Sequence, residues 1–314
     1  MSERQHDKYD ALISRCKALP ATPCAVAHPC DESSLRGAVE AAELGLILPI
    51  LVGPSARIAA VAAQFKIDIS AFEVVDAPHS VASAETAVRL AREGKAEMLM
   101  KGSLHSDEIM AAVVKRETGL RTSRRVSHCF IMDVPAIDRV VIITDAAVNI
   151  FPTLEDKLHI VQNAIDLAHA LGMTEPRVAI LSAMETINPK VPSTIEAAAL
   201  CKMAERGQIT GGVLDGPLAL DNAIDLGAAK IKKIKSPVAG QADILVVPDL
   251  EAGNMLAKSL SFMADADAAG IVLGARVPVI LTSRADSVST RLASCAVAVM
   301  VARARREAAT KAVE

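Results

Sequence analysis

The sequence predicts an α/β protein of two domains, and three observations carry that expectation. Short aliphatic and β-branched runs recur along the chain, separated by Ala-rich stretches with one-sided helical spacing. Strands that alternate with helices come out parallel, with both sheet faces covered. At 314 residues, 51% of them apolar, the chain exceeds one core. It shows no Gly/Ser-rich linker, so the two domains are expected to be closely joined with a cleft between them.

The elements follow in order. Residues 24–27 are an apolar run, the first expected strand, and lead into a helix over 32–43. Residues 47–52 (ILPILV) are the second strand, with a helix over 56–65 and a strand over 72–75 behind it. A helix over 83–93 precedes a strand over 97–100. Strands over 130–134 and 140–144 flank a turn at 135–138 that opens with Pro135, which reads as a hairpin. The second half repeats the rhythm with a long helix over 154–171 and a strand over 178–181. The helix over 193–205 is expected to start on Ser193 as N-cap, with Glu196 as its capping-box partner. Strands over 212–214 and 244–247, a helix over 253–264, strands over 270–273 and 279–281, and a terminal helix over 289–312 complete the chain.

Composition excludes several function classes. Lys and Arg number 34 against 37 Asp and Glu, a net charge of −3, which is not the basic balance of a nucleic-acid protein. There is no Trp, one Tyr and five Phe, so platforms for stacking bases are nearly absent. Residues 1–9 are polar rather than a signal peptide, and no apolar run reaches the ~18 residues that span a bilayer. A cytoplasmic protein with no membrane partner is expected. Its six scattered cysteines read as reduced thiols. Cys24, His28 and Cys30 have a superficially metal-like spacing, but Pro29 interrupts and no second cluster follows, so no metal is expected. No G-x-S-x-G elbow and no G-x-G-x-x-G fingerprint is present.

The stretch with most chemistry is VILTSRADS at 279–287. An apolar strand empties into hydroxyls, a guanidinium and a carboxylate, at the sheet edge where open α/β folds bind ligands. Arg284 offers a planar fork for phosphate or carboxylate, Ser283 a short donor, and Asp286 a proton acceptor or a brace for Arg284. Lys101, Gly102 and Ser103 leave the strand ending EMLM and open a helix, a setting that suits phosphate; the alternative is an ordinary turn capped by Ser106 or Asp107. The stretch 119–128, with Arg121 and Thr122, suits a diphosphate, although Arg124 and Arg125 read as a solvated basic loop. Asp215 and Asp221 leave another strand, either toward the cleft or, for Asp221, as a helix cap. Asn254 and Glu251 stand in the analogous place one strand later, with helix capping as their plainer reading.

MKGSLHSDEIMAAVV, GLRTSRRVSHCFIMDVP, VLDGPLALDNAI, SPVAGQADILVVPDLEAGNMLAKSL and AGIVLGARVPVILTSRADS together resemble the phosphate acetyl/butyryltransferases over roughly residues 97–290, and PILVGP extends the likeness forward. The likeness is greatest to the butyryltransferase-like branch. The resemblance implies the reaction acyl-CoA + phosphate ⇌ acyl phosphate + CoA, with both as substrates, no cofactor and no metal. It implies two doubly wound three-layer α/β domains flanking a cleft, like isocitrate and isopropylmalate dehydrogenases, and a homodimer. The domains expected on that pattern are 1–138 with 283–314, and 139–282. A Ser-Arg pair that positions phosphate and acyl carbonyl in the family maps onto Ser283 and Arg284. Acetyltransferases of the other branch carry a catalytic Asp six residues after the Arg, where this chain has Thr290. With no Asp at that position, Asp286 is the leading candidate for the base, with Asp215 and Asp221 behind it, and Arg121 is the candidate for coenzyme A. Two other classes stay open: a metal-dependent NAD-linked hydroxyacid dehydrogenase of the same architecture, and a non-catalytic CoA-binding module.

Overall fold

The computed structural model describes residues 7–282 and 287–311. In chain order it begins with α1 (Asp7–Lys17), β1 (Thr22–Ala27), α2 (Glu32–Glu43), β2 (Ile47–Gly53), α3 (Ser55–Phe65) and β3 (Glu73–Asp76). Next come α4 (Ser80–Arg92), β4 (Met98–Lys101), α5 (Ser106–Val114), β5 (Ser127–Asp133), β6 (Val141–Thr144) and α6 (Leu154–Ala170). The chain continues through β7 (Arg177–Leu181), α7 (Pro192–Glu205), β8 (Val213–Leu218), α8 (Leu220–Ile224), α9 (Leu226–Ile231) and β9 (Ile244–Val246). It ends with α10 (Leu250–Met263), β10 (Asp267–Leu273), β11 (Val279–Ile280) and α11 (Val288–Lys311). The mixed α/β class expected from the alternation is what the chain adopts.

The described residues fall into two compact units, one of 125–268 and one of the residues before and after it. In the latter the strand order is β3-β2-β1-β4-β11-β10, parallel except for the β10–β11 pair. In 125–268 the order is β5-β6-β9-β7-β8, parallel except for the expected β5–β6 hairpin. These limits differ from the expected boundaries at 138/139 and 282/283. The first would have cut the ladder that pairs Cys129 with Thr144 and Met132 with Val141. The second would have separated β11 from the helix that follows it, whereas β11 pairs with β4 of the outer unit.

Register decides what meets at the carboxyl edge of the outer unit. Ala27 lies beside Lys101, and Ile280 lies beside Met100. β1, β4 and β11 therefore release His28, Gly102 and Leu281 side by side. α11 lies against this sheet with Ala293, Cys295, Ala296, Val297, Ala298 and Val299 all buried. α1 was not expected, because its sequence is mostly polar. Its inner face nevertheless buries Tyr9, whose hydroxyl oxygen accepts from the Ala269 N–H at 2.7 Å, and the Cys16 thiol donates to the Ala296 carbonyl at 3.4 Å.

Local chemistry sets most helix starts. Asp31 caps α2 by accepting from the Ser34 N–H at 2.8 Å, and Asp249 caps α10 by accepting from the Ala252 N–H at 2.9 Å. The expected Ser193 cap is not used. Val191 takes the cap position and Pro192 the first helical one, where its missing N–H costs nothing and its fixed φ suits the helix. The Ser193 hydroxyl instead meets Ser182 Oγ at 2.9 Å, and Glu196 pairs with buried Lys157.

Candidate functional site

The carboxyl edge of β1, β4 and β11 is built on close backbone approach. The Gly102 N–H donates to the Ala27 carbonyl at 2.8 Å. A Cβ at Gly102 would stand 2.4 Å from that carbonyl oxygen and 2.6 Å from that of His28, so only glycine fits. The Ser103 N–H and hydroxyl both donate to the His28 carbonyl at 2.9 Å, and Ser103 Oγ accepts from the Cys30 N–H at 3.2 Å. Gly102 and Ser103, expected on substrate, are thus also the weld between two strand ends.

Lys101 is buried at the end of β4. Its ammonium lies 3.4 Å from the carbonyl oxygen of Thr282 and 3.5 Å from that of Gly102. Ser283, Arg284 and Asp286, the expected catalytic group, lie outside the described residues. Thr282 before them and Ser287 after them are described. Ser287 Oγ accepts from the Thr290 N–H at 3.1 Å and so begins α11. Thr290, expected in the site, is buried in the first turn of that helix.

Arg291 is the residue here that sequence reasoning missed. It is buried, and its Nη1 donates to the Ser33 carbonyl at 3.1 Å. Gly37 makes room for it; a Cβ there would stand 3.2 Å from Arg291 Cδ. Lys101, Thr282, Arg291 and Ser34 line a hollow of about 10 Å³, room for about one water. A larger hollow of about 420 Å³ adjoins it, lined by Asp31, Arg36, Glu40 and again Arg291. Burial opposes ionisation of Asp31, but the donors of Ser34 and Ser33 and the charge of Arg291 outweigh it and hold the carboxyl low. The available signal was an Arg set in an otherwise apolar helical stretch.

In 125–268 the carboxyl edge centres on Asp145, directly after β6. Its carboxylate is buried and accepts from the N–H groups of Ala147 (3.0 Å), Val148 (3.0 Å) and Asn149 (3.2 Å), and from Asn149 Nδ2 (2.6 Å). Burial pushes its pKa up, and these donors pull against it. Asn149 Oδ1 accepts from Arg125 Nε at 2.8 Å, and Arg125 pairs with Asp156 at 3.3 Å. Arg125 is therefore held, not merely solvated as its sequence setting suggested. Asn254 joins this loop by donating to the Ala146 carbonyl at 3.3 Å; Asp249, rather than Asn254 or Glu251, caps α10. The signal for Asp145 was present in the sequence: VIIT empties into Asp-Ala-Ala-Val-Asn, as VIL empties into Thr-Ser-Arg.

The remaining expected residues stand apart. Asp221 is exposed, and the Lys232 ammonium at 2.9 Å holds its carboxyl low; Ala219, not Asp221, takes the cap position of α8. Asp215 is half-buried in β8 and accepts from the Gly216 N–H at 2.8 Å. Thr122 donates to the Gly274 carbonyl at 2.6 Å, and Arg121 is exposed beside it. α5 starts on His105, whose N–H donates to Glu108 Oε2 at 2.7 Å, rather than on Ser106 or Asp107. Among the described residues no group of three or more His, Cys, Asp or Glu could hold a metal ion.

The profile of the family described as "Phosphate acetyl/butaryl transferase" matches residues 78–299. The chain is 66% identical to the phosphate acetyltransferase of Rhizobium meliloti, over 98% of both chains. It is 41% identical to the phosphate butyryltransferase of Clostridium acetobutylicum, over 94% of this chain and 98% of that one. Among solved structures, the branched-chain phosphotransacylase from Enterococcus faecalis V583 superposes with a TM-score of 0.79 at 30% identity, over 90% of this chain and 99% of that one.

Proposed function

Because the chain belongs to the phosphate acetyl/butyryltransferase family, we propose that it moves an acyl group between coenzyme A and inorganic phosphate. The reaction is acyl-CoA + phosphate ⇌ acyl phosphate + CoA. Near-full-length similarity to a protein named phosphate acetyltransferase carries the reading. The higher identity to that protein than to the butyryltransferase favours acetyl as the acyl group.

In the direction that consumes acyl phosphate, the nucleophile is the CoA thiol, with an unperturbed pKa of about 8.5. A base helps at neutral pH. The sulfur attacks the acyl carbon, an oxyanion forms, and the C–O bond to phosphate breaks. Ser283 is proposed as a donor to that oxyanion, a role worth up to ~3–4 kcal/mol. Arg284 is proposed to neutralise the leaving phosphate through its planar fork. Asp286 is the carboxylate proposed to take the thiol proton or to brace Arg284. Lys101, fixed beside the residue that precedes them, adds positive charge to the same edge. Both substrates held together need no covalent enzyme intermediate, so positioning supplies much of the rate. CoA and phosphate are substrates; no cofactor or metal enters this scheme. The family resemblance also supports a homodimer working in the cytoplasm, with no nucleic-acid partner. No helix among the described residues is long and apolar enough to cross a membrane.

The test is thiol release from acetyl-, propionyl- and butyryl-CoA, each with and without phosphate. Phosphate-dependent release, fastest with acetyl-CoA, is expected. CoA binding without phosphate-dependent release would overturn the reading and leave a binding module.

A further inference from the structure

We propose that the outward face of α10 is a self-association surface whose occupant is the same face of a second copy of this chain, packed antiparallel across a two-fold axis at Met255. The proposal rests on the homodimer reading above and deepens it by naming the surface.

Helix geometry puts four residues of α10 in one line. Glu251, Met255, Lys258 and Phe262 are spaced so that, at about 100° per residue, they fall within about 60° of arc. All four are exposed, Met255 by 61% and Phe262 by 84%. The opposite face holds buried Ala257 and half-buried Leu256 and Leu260, packed on the core of this unit. The stripe continues past the start of the helix. The Leu250 N–H donates to the Ile150 carbonyl at 3.1 Å, which holds Ile150 and Phe151 at that end, exposed by 60% and 77%. Single exposed apolar residues are ordinary on a protein surface; a line of them marks a contact.

The charges choose the occupant. Glu251 and Lys258 stand seven residues apart on the stripe, about 10 Å along the helix. Among the described residues neither has an ion-pair partner. A parallel copy would set Glu251 against Glu251 and Lys258 against Lys258. A lipid surface would take Glu251 out of water unpaired, at a high cost. An antiparallel copy centred at Met255 brings Glu251 of each chain to the partner's Lys258, so one arrangement makes two ion pairs. Phe262 then lies about 11 Å from the two-fold axis, beyond the partner's Leu250 at about 7 Å, and meets the partner's Ile150 and the partner's Phe151. That arrangement pairs both charges and covers each large apolar side chain of the stripe. Such a self-complementary patch is what a two-fold dimer requires.

Sedimentation of the full-length protein reads the dimer dissociation constant, with wild type expected to be a dimer. Glu251→Lys and Lys258→Glu each set like charges face to face at two places, and each should raise that constant about 10²-fold. The double exchange restores opposite signs and should return it to near the wild-type value. Phe262→Asp should give a monomer. Met255→Cys should join two chains through a disulfide on oxidation, which wild type should not do, because its six cysteines are buried or half-buried. Every substituted position is exposed, so melting temperatures should stay within a few degrees of wild type. Single reversals that leave a dimer unchanged, or a double exchange no tighter than the singles, would overturn the surface alone. A monomeric wild type would overturn the surface and the homodimer reading together, and leave the stripe to a different protein.

Discussion

The Lys101 ammonium lies 3.4 Å from the carbonyl oxygen of Thr282, 181 residues later in the chain. Parallel pairing of β4 with β11 makes the contact, with Met100 opposite Ile280. It carries a buried cation to the residue immediately before Ser283 and Arg284. Lys101→Met keeps most of the stem and removes the charge. Phosphate-dependent turnover should fall at least about 10-fold to 100-fold if the charge serves the reaction. Equal turnover with a lowered melting temperature would make Lys101 a structural tie only.

Arg284→Ala tests the phosphate grip directly. Thiol release should drop about 10²–10³-fold, the scale for losing a group that stabilises developing charge. The melting temperature should stay within a few degrees. Normal phosphate-dependent transfer in this variant would take the Ser-Arg pair out of the mechanism.

Gly102→Ala probes the weld between β1 and β4. The new methyl would stand 2.4 Å from the Ala27 carbonyl oxygen and 2.7 Å from the His28 carbonyl carbon, both rigid backbone atoms. Overpacking of this kind costs about 1–3 kcal/mol when the surroundings can shift. A urea midpoint equal to wild type would show that the strand ends separate freely.

Much of the fold was legible because its signals are local. ILPILV and residues 178–181 are aliphatic runs of strand length, and β2 and β7 form on them. Glu32–Glu43 is helical over the expected bounds. What was not legible is long-range. β11 is two residues long and owes its place to β4, far earlier in the chain. α1 reads as a polar tail until Tyr9 and Cys16 find partners on β10 and α11. In the site, Lys101 was visible as a charge ending an apolar strand. Arg291 was not, because a lone Arg in apolar sequence says nothing until its neighbours are known. Asp145 was missed although its strand exit carried the same signal as that at 282.

Lys157 and Glu196 show how a cap signal misleads. Glu196 has the spacing of a capping-box residue, yet its carboxylate serves the Lys157 ammonium, whose side chain is only 5% exposed. Lys157→Met should leave the half-buried Glu196 carboxylate without its partner and cost about 1–3 kcal/mol, the scale for stranding one member of a hydrogen-bonded pair. The double change with Glu196→Leu should recover most of it. Guanidinium unfolding of the three proteins measures both. A single change that costs no more than an exposed pair, about 0–1 kcal/mol, would mean that Lys157 reaches water.

His128 gives stability an acid dependence with a definite sign. The ring is buried, Nδ1 has no hydrogen-bond partner among the described residues, and its edge rests on Phe130 with centroids 4.4 Å apart. Burial lowers its pKa from 6.5 to about 3. Between those values the unfolded chain binds a proton that the folded chain refuses. Stability therefore falls as pH drops from 6.5 toward 3 and levels off below. Asp145 works the other way, since burial raises its carboxyl and the folded form binds its proton more readily. That contribution is common to wild type and His128→Leu, so their difference isolates the histidine. Urea unfolding at about pH 7 and about pH 4.5 should show wild type losing about 2–3 kcal/mol more than His128→Leu, at 1.36 kcal/mol per pH unit below 6.5. Equal losses would mean that the imidazole finds a proton-accepting partner when charged.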